Sequence, residues 1–208
     1  MRIARLTDEK DLVRLYAFRY RIFVEELGWM ARRDHGARIL VDEFDRDAHN
    51  YAAYDDAGEI IGSLRAVPDG ALGLPLERCQ VLDGYRAGKS LVELSRLAVA
   101  PSRRGTILGA MLMKAGYQCA RRMGATHIVL DTYIGNCVRP ERLYEKLGFE
   151  QLTEPYPDPD YLWQLRVVTF ALDCEKEVEG NGKRRRPGLQ RFFTKKTGLI
   201  DHGARPSW

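Results

Sequence analysis

LVELSRLAVAPSRRGTILGAML, Leu91–Leu112, runs from a strand through a turn into a helix. Its first nine residues are rich in Leu and Val, the pattern of a buried strand, yet they include Glu93, Ser95 and Arg96. Burying an unpaired charge is costly, so a strand that tolerates two charges pairs them, hydrates them or uses them. Glu93 and Arg96 are three residues apart and fall on opposite faces of a regular strand, so a direct pair between them requires a bulge. Pro101 ends the strand, and the PSRRG turn leads into the helix. Free backbone N–H groups, the positive end of the helix dipole, and Arg103 with Arg104 suit an anion such as phosphate. An ordinary helix entry with solvated arginines has the same sequence.

Outward from this unit, Arg2–Leu6 reads as a short strand. Thr7-Asp8-Glu9 is a helix-start signal before Leu12, Leu15, Tyr16 and Phe23 at helical spacing. HNYAAYDDAGEIIGSLRAV (His49–Val67) alternates around Asp55–Gly58, a turn that folds two strands into an antiparallel hairpin. Downstream, Arg103–Gly124 reads as a long helix and Thr126–Tyr133 (THIVLDTY) as a buried strand. RPERLYEKLGF (Arg139–Phe149) is a short amphipathic helix stopped by Gly148, and Tyr161–Cys174 a final strand. Strands surrounding a few helices predict an α/β (α+β) domain with a mixed sheet flanked by helices.

With 208 residues, 45% hydrophobic and 30% charged, the chain suits one well-buried domain. Cys79, Cys119, Cys137 and Cys174 are far apart, with no CxxC pair and no histidine at ligand spacing, so neither a disulfide framework nor a metal site is expected. The absence of a secretory core at the N-terminus and of any long apolar run leads to the expectation of a soluble, cytoplasmic protein. Net charge is +4, but Gly180–Trp208 holds eight Lys or Arg against one Asp. We therefore divide the chain into a body, 1–175, and a basic extension, 176–208, read as a solvated tail. Its alternative is weak contact with an acidic partner or a membrane surface through Phe192 and Phe193. Nucleic acid is not expected as a partner, because KRRR and FFTKK come with no recognition helix or stacking sheet.

Two motifs narrow the class. VAPSRRGTILGAML resembles the acyl-donor loop of the GNAT acyltransferase superfamily, and RLYEKLGF its terminal helix, whose tyrosine lies near the thioester sulfur in that superfamily. The fold this implies is a central, mostly antiparallel mixed sheet with flanking helices. Ile107 stands where such loops carry a glycine; this weighs against close backbone approach to the pyrophosphate of free coenzyme A. Further upstream, Arg19, Phe23, Trp29, Asp42, Asp45, Arg65, Glu93 and Arg96 are similar in order and spacing to the signature of acyl-homoserine-lactone synthases. Together with LYEKLGF, HNYAAY and ELSRLAV, they resemble more closely the sister group of N-acyl amino acid synthases.

That resemblance implies transfer of a long-chain acyl group from acyl carrier protein, or from acyl-CoA, to the amino group of an amino acid such as tyrosine, with no tightly bound cofactor. Glu93 is the expected general base, its alternative being a structural ion pair. Tyr144 is the expected acid for the leaving thiolate, or else a packing residue. Leu97 to Val99 are expected to offer backbone N–H groups to the thioester carbonyl. Asp42, Asp45, Arg65 and Arg96 are read as an acceptor-binding cluster or a structural network. Arg19, Phe23 and Trp29 belong to a pocket wall or to the core. Arg103, Arg104, Gly105 and Gly109 would meet the pantetheine arm and its carrier, with approach weakened by salt. The competing readings are a lactone synthase using S-adenosylmethionine and a non-catalytic lipid or acyl sensor.

Overall fold

The computed structural model describes residues 1–30, 37–134, 140–158, 166–174 and 187–203. β1 (Arg2–Leu6) leads to Asp8, whose carboxylate accepts from the backbone N–H groups of Lys10 and Asp11 and so starts α1 (Glu9–Tyr20). The helix continues as a π-helical turn over Arg21–Glu26, which adds Ile22, Phe23 and Val24 to the core. β2 (His49–Tyr54) and β3 (Ile60–Pro68) form the hairpin expected around Asp55–Gly58. Gly58 takes φ +80° and Asp55 accepts from the N–H of Ala57 and Glu59, which closes the turn.

A 3-10 turn at Pro75–Arg78 and the short α2 (Asp83–Arg86) precede β4 (Leu91–Val99). The helix α3 (Leu108–Arg122) starts five residues later than its sequence pattern suggests. Arg104 is extended and Gly105 left-handed at φ +73°, so the chain cannot enter the helix there. Thr106 bridges the gap, donating to the Arg103 carbonyl and accepting from the Leu108 N–H. Then come β5 (His127–Ile134), α4 (Glu141–Lys146), β6 (Glu150–Gln151), β7 (Tyr156–Pro157) and β8 (Arg166–Asp173). Residues 161–165 of the expected last strand lie outside the described residues. α5 (Pro187–Thr194) and β9 (Ile200–Asp201) complete the chain.

The sheet runs β6-β8-β5-β4-β3-β2-β1-β9, with β7 also on β8. Only β4·β5 and β1·β9 are parallel among these pairs. This is the mixed, mostly antiparallel sheet with flanking helices that the sequence implied. α3 lies on one face through Leu108, Met111, Leu112 and Ala115, all buried. It comes close because Gly116 has no side chain: a Cβ there would stand 2.6 Å from Leu64 and 2.8 Å from Leu94. α1 covers the opposite face.

The basic extension does not behave as a solvated tail over residues 187–203. Phe193 is fully buried and stacks on Tyr117 of α3 at 4.5 Å, and the Lys114 ammonium lies over the Phe192 ring. β9 pairs with β1, and His202 bridges the Tyr51 hydroxyl (2.7 Å) and Gln118 Oε1 (3.0 Å). Apolar burial and these hydrogen bonds outweigh the solvation of Arg191, Lys195 and Lys196. Phe193 is consequently not available as a membrane anchor. Among the described residues no helix is long and apolar enough to cross a membrane.

Candidate active site

β4 and β5 pair only at their first three residues, Leu91↔His127, Val92↔Ile128 and Glu93↔Val129. Beyond Glu93, β4 stays with β3 while β5 continues alongside β8 to Ile134↔Arg166. The sheet therefore forks, and a cavity of about 210 Å³ opens between the two strands. The fork is sharpened by a bulge. Between Arg65↔Ser95 and Ser63↔Ala98, β3 advances two residues and β4 three. Arg96 absorbs the extra residue at φ +54°, and the Ser63 hydroxyl donates to its carbonyl at 2.6 Å. This left-handed turn aims Arg96 at Asp42 rather than at the opposite face.

Five charged side chains are linked in series behind the bulge. Arg19 donates to Asp45 (2.8 Å) and Asn50 (2.6 Å); Arg65 donates to Asp45 (3.0 Å), Asp42 (2.6 Å) and Ser95 (3.0 Å); Arg96 donates to Asp42 (2.9 Å). Asp42 and Asp45 also cap the 3-10 turn Glu43–Arg46. Burial pushes the Asp42 carboxyl up, but Arg65 and then Arg96 outweigh it and hold it well below the usual carboxylate range. Arg19 and Asp45 are sealed behind the cavity and fit the structural reading of this network. Asp42, Arg65 and Arg96 line the cavity.

Glu93 is 1% exposed and lines the same cavity. One of its oxygens accepts from the Leu76 backbone N–H at 2.8 Å, and among the described residues it makes no ion pair. The expected alternative, a structural pair with arginine, is therefore not what holds it. Burial raises its pKa, and Asp131 raises it further; the hydrogen bond from Leu76 and then the fields of Arg65 and Arg96 oppose both. Asp131, which the sequence reading passed over, lines the cavity from β5, its own pKa raised by burial and then by Asp158. Its signal was the one that drew attention to Glu93: a carboxylate inside an apolar strand.

The remaining walls are apolar. Trp29 packs on Tyr133 at 4.3 Å and on Phe23 at 6.3 Å, and Leu27, Leu97, Val99, Met113 and Leu143 continue the lining. Tyr144 is buried against Phe149 and Phe170, and it too lines the cavity. Burial and then Asp131 raise its phenol far above the ordinary value, while the neighbouring Thr132 opposes the shift. At the rim, Arg104 donates to the Val99 carbonyl (3.2 Å) and pairs with Glu26 (2.6 Å), joining the loop to the π-helical turn. Gly109 lets Leu143 approach: a Cβ would meet its Cδ2 at 3.3 Å. Arg103 and Gly105 are exposed and do not line the cavity. Among the described residues no group of His, Cys, Asp and Glu is arranged to hold a metal ion.

Against known proteins, the family model described as N-acyl amino acid synthase FeeM matches residues 14–173. Solved structures of similar fold include FeeM, an N-acyl amino acid synthase from uncultured soil microbes, with TM-score 0.61 and 20% identity over 82% of this chain and 89% of that one. BjaI, a CoA-dependent acyl-homoserine lactone synthase with SAM and isopentyl-CoA, gives TM-score 0.65 and 18% identity over 100% and 95%. An aminoglycoside 6'-N-acetyltransferase complexed with coenzyme A gives 0.61 and 18% over 86% and 100%. At these identities the likeness bears on the fold. A curated relative, an uncharacterized N-acetyltransferase of Schizosaccharomyces pombe, is 39% identical over 69 residues, 33% of this chain and 41% of that protein. The match thus spans less than half of that relative's length.

Proposed function

The chain belongs to the N-acyl amino acid synthase family and is an acyltransferase; from that premise we propose that it joins a long-chain acyl group, delivered as a thioester on acyl carrier protein, to the amino group of an amino acid such as tyrosine. What chiefly supports this is the fork itself, where a cavity with largely apolar walls holds a buried carboxylate that makes no ion pair among the described residues, beside a widened strand edge.

The thioester carbonyl sits against β4 at Leu97 to Val99, whose edge toward β5 carries no strand partner among the described residues, so backbone N–H groups meet the developing oxyanion. Glu93, ionised, takes a proton from the acceptor's ammonium group, and the freed amine attacks the carbonyl carbon. The C–N bond forms and the C–S bond breaks. Tyr144 gives its proton to the departing thiolate, and the second proton shed by nitrogen restores the phenol. The net products are amide, thiol and one proton held on Glu93. Arg96, with Arg65 behind it, provides positive potential for the acceptor's carboxylate. Phe23, Trp29 and Tyr133 flank the acyl chain. Val99, Gly109 and Arg104 border the pantetheine arm, and Arg103 with Gly105 faces the acidic carrier outside.

Incubating the protein with acyl-loaded carrier protein or acyl-CoA, and with each amino acid or S-adenosylmethionine, tests this by mass detection of products. An N-acyl amino acid is expected, formed faster from the carrier. A lactone product, or no acylated product from any amine, overturns it.

A further inference from the structure

Glu93 and Asp131 stand on the two strands of the fork. Glu93 is level with Val129, and Asp131 lies two residues further along β5, so both side chains leave the same face of the sheet. Both line the cavity. The other buried charges on this side are directly paired, Arg19 with Asp45 and Arg65 with both Asp45 and Asp42. Among the described residues neither Glu93 nor Asp131 makes an ion pair, and the partner of Glu93 is a neutral amide. Two neighbouring carboxylates in a desolvated site cannot both ionise unless a cation enters between them. Arg65 and Arg96 act on the pair from β3 and β4 but already bind Asp42, so among the described residues neither is the direct counter-ion of Glu93 or Asp131, and Asp158 adds negative field from the segment after β7.

From this juxtaposition we infer that Asp131 is the second half of an ammonium seat: the protonated amino group of the acceptor binds between Asp131 and Glu93. The inference rests on the acyl-transfer reading and assigns a role to a residue which that reading does not use. In the empty site the pair shares one proton. The incoming ammonium ion expels that proton to solvent; Glu93 then takes a proton from nitrogen, while Asp131 stays ionised and holds the nitrogen at the mouth of the fork. An acceptor without an amino group has nothing to offer the pair.

Calorimetric titration of the full chain in buffers of different protonation enthalpy tests this. The ligands are the common amino acids and the α-deamino analogue of each one that binds; the variants are Asp131→Asn and Asp131→Glu. The amino acid is expected to bind roughly tenfold or more tightly than its deamino analogue, with release of about one proton near neutral pH. Asp131→Asn should weaken the amino acid by roughly tenfold or more, leave the deamino analogue unchanged and lessen proton release; Asp131→Glu should restore part of the affinity. Equal binding of amine and deamino analogue, an Asp131→Asn protein that binds as wild type does, or no binding of any amino acid overturns the seat. If Asp131→Asn melts below the assay temperature, Asp131→Glu carries the test: it should keep the proton release and weaken the amino acid but not its deamino analogue, and equal weakening of both ligands, or none of either, overturns the inference. Tight amine binding of this kind without amide formation on adding acyl thioester would instead defeat the acyl-transfer reading and leave the seat standing.

Discussion

Glu93 is held where its charged form is disfavoured, and this links activity to stability. In the native protein its pKa is raised, first by burial and then by Asp131, so the folded chain keeps a proton that the unfolded chain loses once pH rises above the ordinary glutamate range. Stability from this group is therefore full at acid pH and lost as pH rises toward its native pKa. Glu93→Gln keeps the shape and an acceptor oxygen for the Leu76 N–H but removes the acid. We expect turnover to fall by about 10²–10³-fold, while the melting temperature rises above that of wild type by a margin that widens between about pH 5 and pH 8. Thermal melts across that range check it; a margin independent of pH would contradict it. Glu93 was legible because a charge stands out within LVELSRLAV. Asp131 shows the same anomaly in HIVLDTY, but only the pairing of β4 with β5 brings the two together, and that is a tertiary fact.

At the scale of elements, the strands and hairpin followed from alternation and turn residues, whereas the three-residue spacing of Glu93 and Arg96 called for a bulge only if the two paired, and the bulge present turns Arg96 to Asp42 instead. Which way the bulge would turn Arg96 depended on Asp42, fifty-four residues away in the chain, and was not legible. β6 and β7, two residues each, are too short to leave a periodic trace. The close seat of α3 on the sheet makes a further prediction. In Gly116→Ala the new methyl would overlap Leu64 and Leu94, both buried, and Leu94 is the neighbour of Glu93 on β4. Overpacking of this kind costs about 1–3 kcal/mol. Chemical denaturation should show that loss, with turnover reduced as well because the displaced strand carries the base.

Across the whole molecule, the C-terminal arm is tied down by neutral histidine chemistry. His202 lies between the Tyr51 hydroxyl and Gln118 Oε1, an arrangement that fits a neutral ring accepting at Nδ1 and donating at Nε2. Burial, aided by Arg122 and Arg5 and opposed by Asp201, pushes its pKa down to about 4. His49, hydrogen-bonded to Cys119, is lowered to about 4 by burial and then Arg5. Both take up protons more readily when unfolded, so stability is lost as pH falls from about 6.5 toward 4. Protection of the amides of residues 187–203, relative to their intrinsic exchange rates, should accordingly fall at about pH 5 relative to pH 7.5, beyond the change in the sheet centre. An arm equally protected at both values would refute it. The charge of this segment suggested solvation; its burial depends on Tyr117, Gln118 and Tyr51, partners that no local pattern announces.

The two-residue strand at the end of that arm does one thing more. By lying along β1 it occupies hydrogen-bonding groups that would otherwise invite a stranger's backbone, and a chain cut before Pro187 would present that border as a template for self-association. The arm is in this respect a guard against polymerisation.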